Sequence, residues 1–370
     1  ELFYGVLRNL TLLDFWIGLL RPASIDHRSR DLLRVGLYQL LCLRTPSHAA
    51  VFETVELSTR RQRPFINAVL RAALRRLPEL ETAAHAEPLA TRFSHPEFLV
   101  KKWGATYGSQ AATQLCEWNN QPPPIYARLN RLRTTVETFL AEHPSVVQLS
   151  ENTNFVRLQS LPEEALARGD CYIQDPSTSL ACELLDPQPG ERVLDACAAP
   201  GGKSGLVAEL MDNGGQVIAC DRDSSRLETL RQNLARLGVT SAQVVLQNWT
   251  ANELSPEFLP GPFDRILVDA PCTNTGVMRR RVDVRWRLRS EDFRRMQTEQ
   301  LAILRRVVPL LRPGGVLVYS TCSIEAEENE RVVERVLEHF PSLLLNAQKS
   351  IVPFRNRFDG AFGAKLTHIG

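Results

Sequence analysis

The sequence predicts an α/β protein whose C-terminal half is a doubly wound parallel sheet, preceded by an all-α bundle and a small α+β module. Three observations carry this. From about residue 171 short apolar strands alternate with amphipathic helices. The strand ending at Asp195 breaks into a glycine-containing turn, Ala198-Ala199-Pro200-Gly201-Gly202, that opens a helix. The first 80 residues show helical periodicity.

Taken in order, residues 2–20, 30–44, 47–59 and 64–76 read as amphipathic helices joined by turns such as Arg21-Pro22 and Arg44-Thr45-Pro46. The chain has no initiator Met and begins inside a helical pattern, which predicts residues ahead of Glu1. Residues 1–80 form the expected helical domain, and the Ala/Glu/Thr-rich stretch 81–92 the expected linker. His95-Pro96 then opens a helical stretch through about Trp118, and Asn119-Asn120-Gln121-Pro122-Pro123-Pro124 ends it. A strand at 125–130, a helix near Thr135–Glu142 and short strands to about Arg157 complete a module assigned to 93–170.

Residues 171–370 carry the strands expected at 192–195, 216–220, 243–247, 264–269 and 316–320. Asp195, Asp221, Asp269 and Cys322 stand at or just past strand ends, which line the ligand crevice of an open α/β sheet. Gly201 and Gly202 lack Cβ atoms where a ligand could press on backbone N–H groups at a helix N-terminus. A nucleotide triphosphatase and a hydride-transfer enzyme lose ground, because Cys197 stands where a P-loop requires its first Gly and the G-x-G-x-x-G spacing of dinucleotide sites is absent. An adenosyl-like ligand without a polyphosphate is left. Asp221, 26 residues after Asp195, is placed to accept both ribose hydroxyls. Asp223 or Ser224 caps a helix with Leu227, Leu230, Leu234 and Leu237 on one face, and Gly238 stops it.

The net charge is only +2, yet residues 1–80 hold 12 Arg against 7 acids and residues 279–295 hold 8 Arg against 3. Arg60, Arg61, Arg63, Arg71, Arg75 and Arg76 could meet RNA phosphates, or could simply be a solvated face. No apolar run approaches 18 residues, so no membrane segment is expected. The eight cysteines show no C-x-x-C pair and no clustered His, which argues against a metal site and a disulfide framework and fits a reducing cytoplasm. Two of them differ from the rest. Cys272 follows Asp269-Ala270-Pro271 and Cys322 follows Tyr319-Ser320-Thr321, both in polar turns past a strand. A free Cys is most often a small core hydrophobe; here a thiolate nucleophile is the sharper reading.

These residues resemble a known family, the RsmB/Sun (Fmu) RNA cytosine-5 methyltransferases. The resemblance rests on DACAAPGGKS at 195–204, FDRILVDAPCTNTGVMRR at 263–280, VLVYSTCSIEAEEN at 316–329 and DGAFGAKL at 359–366. GVLRNL, GLYQLL, INAVLR, SHPEFLVKKW and NNQPPP upstream are similar to its bacterial members. It implies a Rossmann-like methyltransferase sheet using S-adenosylmethionine, behind a NusB-like RNA-binding leader and a small RNA-binding module. It further implies that Cys197, Ala198, Ala199, Pro200, Gly201, Gly202, Lys203 and Asp221 hold the cofactor, with Asp269 between cofactor and target base. Cys322 would attack C6 of the cytosine, and Cys272 would assist release. Asn274 and the Arg279-Arg280-Arg281 run would contact RNA. Where the family places an Asp for the adenine amino group, this chain reads Gln247-Asn248-Trp249, so Asn248 is expected to accept that bond and Trp249 to stack. The implied partner is 16S ribosomal RNA, free or in early assembly particles, acted on by a monomer in the cytoplasm. A transfer-RNA methyltransferase and a noncatalytic RNA-binding assembly factor are the alternatives.

Overall fold

The computed structural model describes residues 1–150, 154–251, 253–258 and 261–370. The chain folds as two compact units: Glu1–Pro122 with Met278–Ser290, and Pro123–Val277 with Glu291–Gly370.

The first unit is helical. The expected helix 2–20 is two helices, Leu2–Arg8 and Leu10–Leu20, broken at Asn9, whose side-chain amide donates to Gly5 O at 2.9 Å. The next, His27–Leu37, starts ahead of expectation because the Asp26 carboxylate accepts the Ser29 N–H at 3.0 Å. Ser47–Glu56 and Arg63–Arg75 follow, and Leu13, Trp16, Leu33, Leu37, Ile66 and Leu70 fill the core. Among the described residues no single helix is long and apolar enough to cross a membrane; the bent pair Leu2–Arg8 and Leu10–Leu20 passes such a test together, but its Leu12, Leu13, Trp16 and Ile17 lie in this core.

Residues 81–92, expected as a linker, are helical over Leu77–Ala86 and Leu89–Arg92. Leu80 and Ala84 are buried, and Leu80 O accepts the Trp16 indole N–H at 3.0 Å. An Ala- and Glu-rich composition suits a surface helix as well as a linker, and two apolar positions dock it. The same compact unit includes Glu97–Tyr107 and Ser109–Asn120, which realise the helical stretch expected from His95 to about Trp118. The segment Met278–Ser290 joins them. Arg285, buried, donates to Arg8 O (3.1 Å), Asn119 O (3.0 Å) and Asn120 Oδ1 (2.7 Å), and the Arg279 guanidinium lies 3.9 Å from the Trp118 ring centroid. Arg279, expected among residues gripping phosphate, is therefore packed inside, with only Arg281 of that run exposed. Carbonyls at the end of helix Ser109–Asn120 attract a cation for the ordinary reason that helix C-termini are electronegative.

The second unit holds two sheets. The smaller is antiparallel, with strands β1 (Ile125–Leu129), β2 (Val147–Gln148), β3 (Phe155–Leu158) and β4 (Cys171–Ile173) in the order β2-β3-β1-β4. Residues 151–153 of the expected strand region lie outside the described residues. Cys171–Ile173, expected to begin the parallel alternation, instead pairs antiparallel with β1, with Cys171 opposite Leu129. The larger sheet has β5 (Arg192–Asp195), β6 (Gln216–Asp221), β7 (Ala242–Leu246), β8 (Phe263–Asp269), β9 (Leu311–Thr321), β10 (Leu343–Ile351) and β11 (Ala361–His368), in the order β10-β11-β9-β8-β5-β6-β7. The five strands from β9 to β7 are parallel, as the sequence predicts; the antiparallel β10–β11 pair at one edge lies outside that expectation. The order turns back between β5 and β8, which opens a crevice at their C-terminal ends. Arg128 on β1 and Glu209 on helix Gly202–Leu210, both almost wholly buried, form an ion pair, with Arg128 Nε also donating to Gln174 Oε1 at 2.9 Å.

Candidate active site at the strand ends

Asp195 ends β5 fully buried, and its Oδ2 accepts the Ser204 hydroxyl at 2.6 Å. Burial pushes its carboxyl up to about 7. The loop beyond it is tied to β6: Ala198 N–H donates to Cys220 O (2.7 Å) and Ala199 N–H to Asp221 Oδ2 (3.1 Å). The Ala199–Pro200 peptide is cis. Gly201 has φ +106, which a side chain would strain, and a Cβ there would come within 2.9 Å of Leu230 Cδ1. At Gly202 a Cβ would meet Tyr172 Cε1 at 2.8 Å. The two glycines thus serve the turn and the close packing of Leu230 and Tyr172. The first turn of helix Gly202–Leu210 leaves its leading N–H groups without a carbonyl partner within the helix.

Asp221 is buried at the end of β6, with Oδ1 accepting the Asp223 N–H at 3.1 Å and Arg226 Nη1 3.5 Å from Oδ2. Oδ1 therefore keeps a lone pair beyond the one that accepts Asp223 N–H, whereas Oδ2 already faces both Ala199 N–H and Arg226. Asn248 is exposed, but its Oδ1 already accepts from Thr250 N (3.0 Å) and Thr250 Oγ1 (2.8 Å). The oxygen expected to meet an adenine amino group is therefore committed to a local turn. Trp249, expected to stack on a ligand, is 3% exposed in the core, edge-on to Phe258, and its indole N–H donates to Ala196 O at 2.8 Å. An indole so near the strand ends looks from the sequence like part of a ligand site; in the fold it is a core side chain that holds Ala196, at the start of the loop beyond β5.

At the end of β8 Asp269 Oδ2 accepts from Lys203 Nζ at 2.7 Å. Burial would lower the Lys203 ammonium, but the charge and hydrogen bond of Asp269 overcome it and hold the lysine above its usual range. Cys272 and Cys322 come together with their sulfurs 3.3 Å apart. Cys322 Sγ donates to Asn274 Oδ1 (3.1 Å), and Asn274 Nδ2 donates to Cys272 O (2.8 Å). Asn274, expected to contact RNA, thus brackets the two cysteines, with φ +62. The hydrogen bond to Cys322, then burial, keeps the Cys272 thiol well above the usual range. Gly276 N–H donates to Cys322 O (3.0 Å), and Gly360 N–H to Gly276 O (2.8 Å). A Cβ at Gly276 would lie 2.7 Å from Cys322 O and from Gly360 Cα, so the DGAFG segment locks the Cys322 turn by close backbone approach.

One residue of this site does not stand out in the sequence. Glu328, fully buried, accepts from Thr273 N (2.8 Å), Thr273 Oγ1 (2.5 Å) and Ser323 Oγ (2.6 Å). Its run, Glu325-Ala326-Glu327-Glu328-Asn329, looks like a solvated acidic stretch. The available signal is that polar residues, Thr273 and Ser323, follow both distinctive cysteines.

Three family models match the chain: "16S rRNA methyltransferase RsmB/F" over residues 182–367, the NusB family over 1–75, and the RsmF/B-like ferredoxin-like domain over 95–143. The probable ribosomal RNA small subunit methyltransferase B of Bacillus subtilis is 35% identical over 92% of this chain and 79% of its own length. The Klebsiella pneumoniae ribosomal RNA small subunit methyltransferase B is 36% identical over 99% and 88%. Among solved structures, a methyltransferase homolog protein from Pyrococcus horikoshii is 28% identical with a TM-score of 0.66, covering 75% of this chain and 97% of that one. With the motifs, the sheet order and the paired cysteines in place, the chain belongs to the RsmB/F family of S-adenosylmethionine-dependent ribosomal RNA methyltransferases.

Proposed function

We propose that this protein methylates C5 of a cytosine in 16S ribosomal RNA through a covalent bond between Cys322 and C6 of the base. The observation that carries the reading is the pair of thiols 3.3 Å apart at the strand ends, beside the Lys203–Asp269 ion pair. Helix N–H groups at Gly202–Ser204 suit the carboxylate of an amino-acid tail, and Asp221 Oδ1 suits a ribose hydroxyl. When bound there, S-adenosylmethionine supplies an electrophilic methyl group. Asn248, with its oxygen engaged, would offer the adenine its Nδ2 donor.

C5 of cytosine is a weak nucleophile within an aromatic ring. The Cys322 thiol first gives its proton to water, and addition of the resulting thiolate at C6 displaces the ring electrons toward C5 and makes it an enamine carbon. After methylation, Cys272 removes the C5 proton; the C–H pair forms the C5–C6 double bond, and the C6–S pair returns to Cys322. The pairing separates the two roles. The hydrogen bond to Cys322, then burial, keeps Cys272 protonated at rest, so that it does not compete with Cys322 as the nucleophile. The helical unit, with exposed Arg60 and Arg61, and the small antiparallel module would position the RNA.

Cys322→Ala should abolish methyl transfer and any covalent RNA adduct, whereas Cys272→Ala should attack and methylate but fail to release, leaving a protein–RNA band on a denaturing gel. Adduct from Cys322→Ala and none from Cys272→Ala would overturn these roles.

A further inference from the structure

We propose that Glu328 is a positioning residue that holds the two thiols in register by binding the residue that follows each of them. This rests on the covalent reading above. The cysteines lie on separate loops, one after β8 and one after β9, and Glu328 reaches both: its carboxylate accepts from Thr273, next to Cys272, and from Ser323, next to Cys322. Its own backbone is pinned, because the Tyr319 hydroxyl donates to Glu328 O at 2.5 Å and Glu328 N–H donates to Glu325 O at 3.1 Å. Gln300 extends the grip, with Nε2 donating to Pro271 O at 2.9 Å and lying 3.4 Å from Glu328 Oε1.

The two loops do not depend on it equally. Ser323 has other anchors, its N–H donating to Thr321 Oγ1 (3.2 Å) and its hydroxyl lying 3.1 Å from Thr275 Oγ1. Thr273 gives both its N–H and its hydroxyl to Glu328. Loss of the carboxylate therefore frees Thr273, beside Cys272, more than Ser323, beside Cys322; the Gly276 N–H bond to Cys322 O ties the two loops further along in either case. The step that suffers is the one Cys272 performs: transfer of the C5 proton to Cys272 Sγ, with the C–H pair forming C5=C6 and the C6–S pair returning to Cys322. Attack by Cys322 suffers less. Misplacing a reacting group by about 1 Å can slow its step by about 100-fold.

The test uses the full chain, S-adenosylmethionine and in-vitro-transcribed 16S ribosomal RNA, following adduct formation and decay on denaturing gels. Glu328→Ala and the near-isosteric Thr273→Val should release product about 10- to 100-fold more slowly and accumulate adduct with Cys272 still present. Ser323→Ala should accumulate less. Glu328→Gln, which keeps one acceptor oxygen, should fall between Glu328→Ala and the unaltered protein, a graded rescue that a change in stability alone would not produce in the release step. Should Cys272→Ala trap adduct while Thr273→Val forms and releases it at the normal rate, or loses attack and release in equal measure, the clamp is refuted and the covalent reading stands. Absence of adduct from Cys272→Ala would instead remove the covalent reading, and this proposal with it.

Discussion

Arg128→Ala should destabilise the second unit severely, and the size follows from the surroundings of the pair. Arg128 and Glu209 are 2% and 1% exposed, so neither charge recovers solvent when its partner is removed. Breaking a buried pair from one side costs about 3–5 kcal/mol, because the remaining charge stays buried and uncompensated. For a unit of this size that is a fall in melting temperature of about 6–20 °C. Replacing both partners by Met and Leu should restore most of the loss, since the pair's attraction mainly offsets its own desolvation. The pH dependence has a defined sign. Burial holds the Glu209 carboxyl above its ordinary value even beside Arg128. The folded state therefore binds the proton more tightly than the unfolded one, and this contribution to stability is full below the ordinary carboxylate range and is lost as pH rises through the folded value. Without Arg128 the folded value rises further, so the deficit of Arg128→Ala should be larger at pH 8 than at pH 5. Calorimetric and urea unfolding of the full chain at the two pH values measure this. A loss below about 1 kcal/mol, or a deficit that grows toward pH 5, would refute the reasoning. Because Glu209 lies on the helix that begins at the cofactor loop, the same variant should also bind S-adenosylmethionine more weakly.

Two further predictions concern ligands. Asp221→Ala should weaken S-adenosylmethionine binding about 10- to 100-fold, the worth of hydrogen bonds to a charged acceptor, and unchanged affinity by titration calorimetry would remove Asp221 from the site. Joint substitution of exposed Arg60 and Arg61 by Ala should lower RNA affinity and flatten its salt dependence, by roughly 0.7–0.9 in logarithmic slope for each phosphate no longer neutralised; an unchanged slope would make the patch a solvated face. Point variants test this better than deletion of residues 1–80, since Leu12 N–H donates to Ser94 Oγ (3.0 Å) and Arg8 O accepts from Arg285.

Local chemistry was legible in the sequence. The five parallel strands, the carboxylates at their ends, the two distinctive cysteines and the helical leader follow from apolar periodicity, turn residues and spacing, which act over a few residues. Partner choice was not. Cys171–Ile173 has the same strand character whichever sheet accepts it, and only the chain's path places it against β1. Residues 77–86 form a docked helix because Leu80 and Ala84 find a core to pack on. Arg279 and Arg281 are near neighbours of one residue type, one packed on Trp118 and the other in water, because the surroundings of a side chain depend on segments far away in sequence. Glu328 shows the same limit most sharply: an acid in an acidic run reads as solvent-facing until the fold brings Thr273, 55 residues upstream, to its carboxylate. Sequence by itself thus determined which groups the protein carries to its strand ends. Tertiary structure decided which of them touch, because burial and long-range hydrogen bonds are properties of the packed chain.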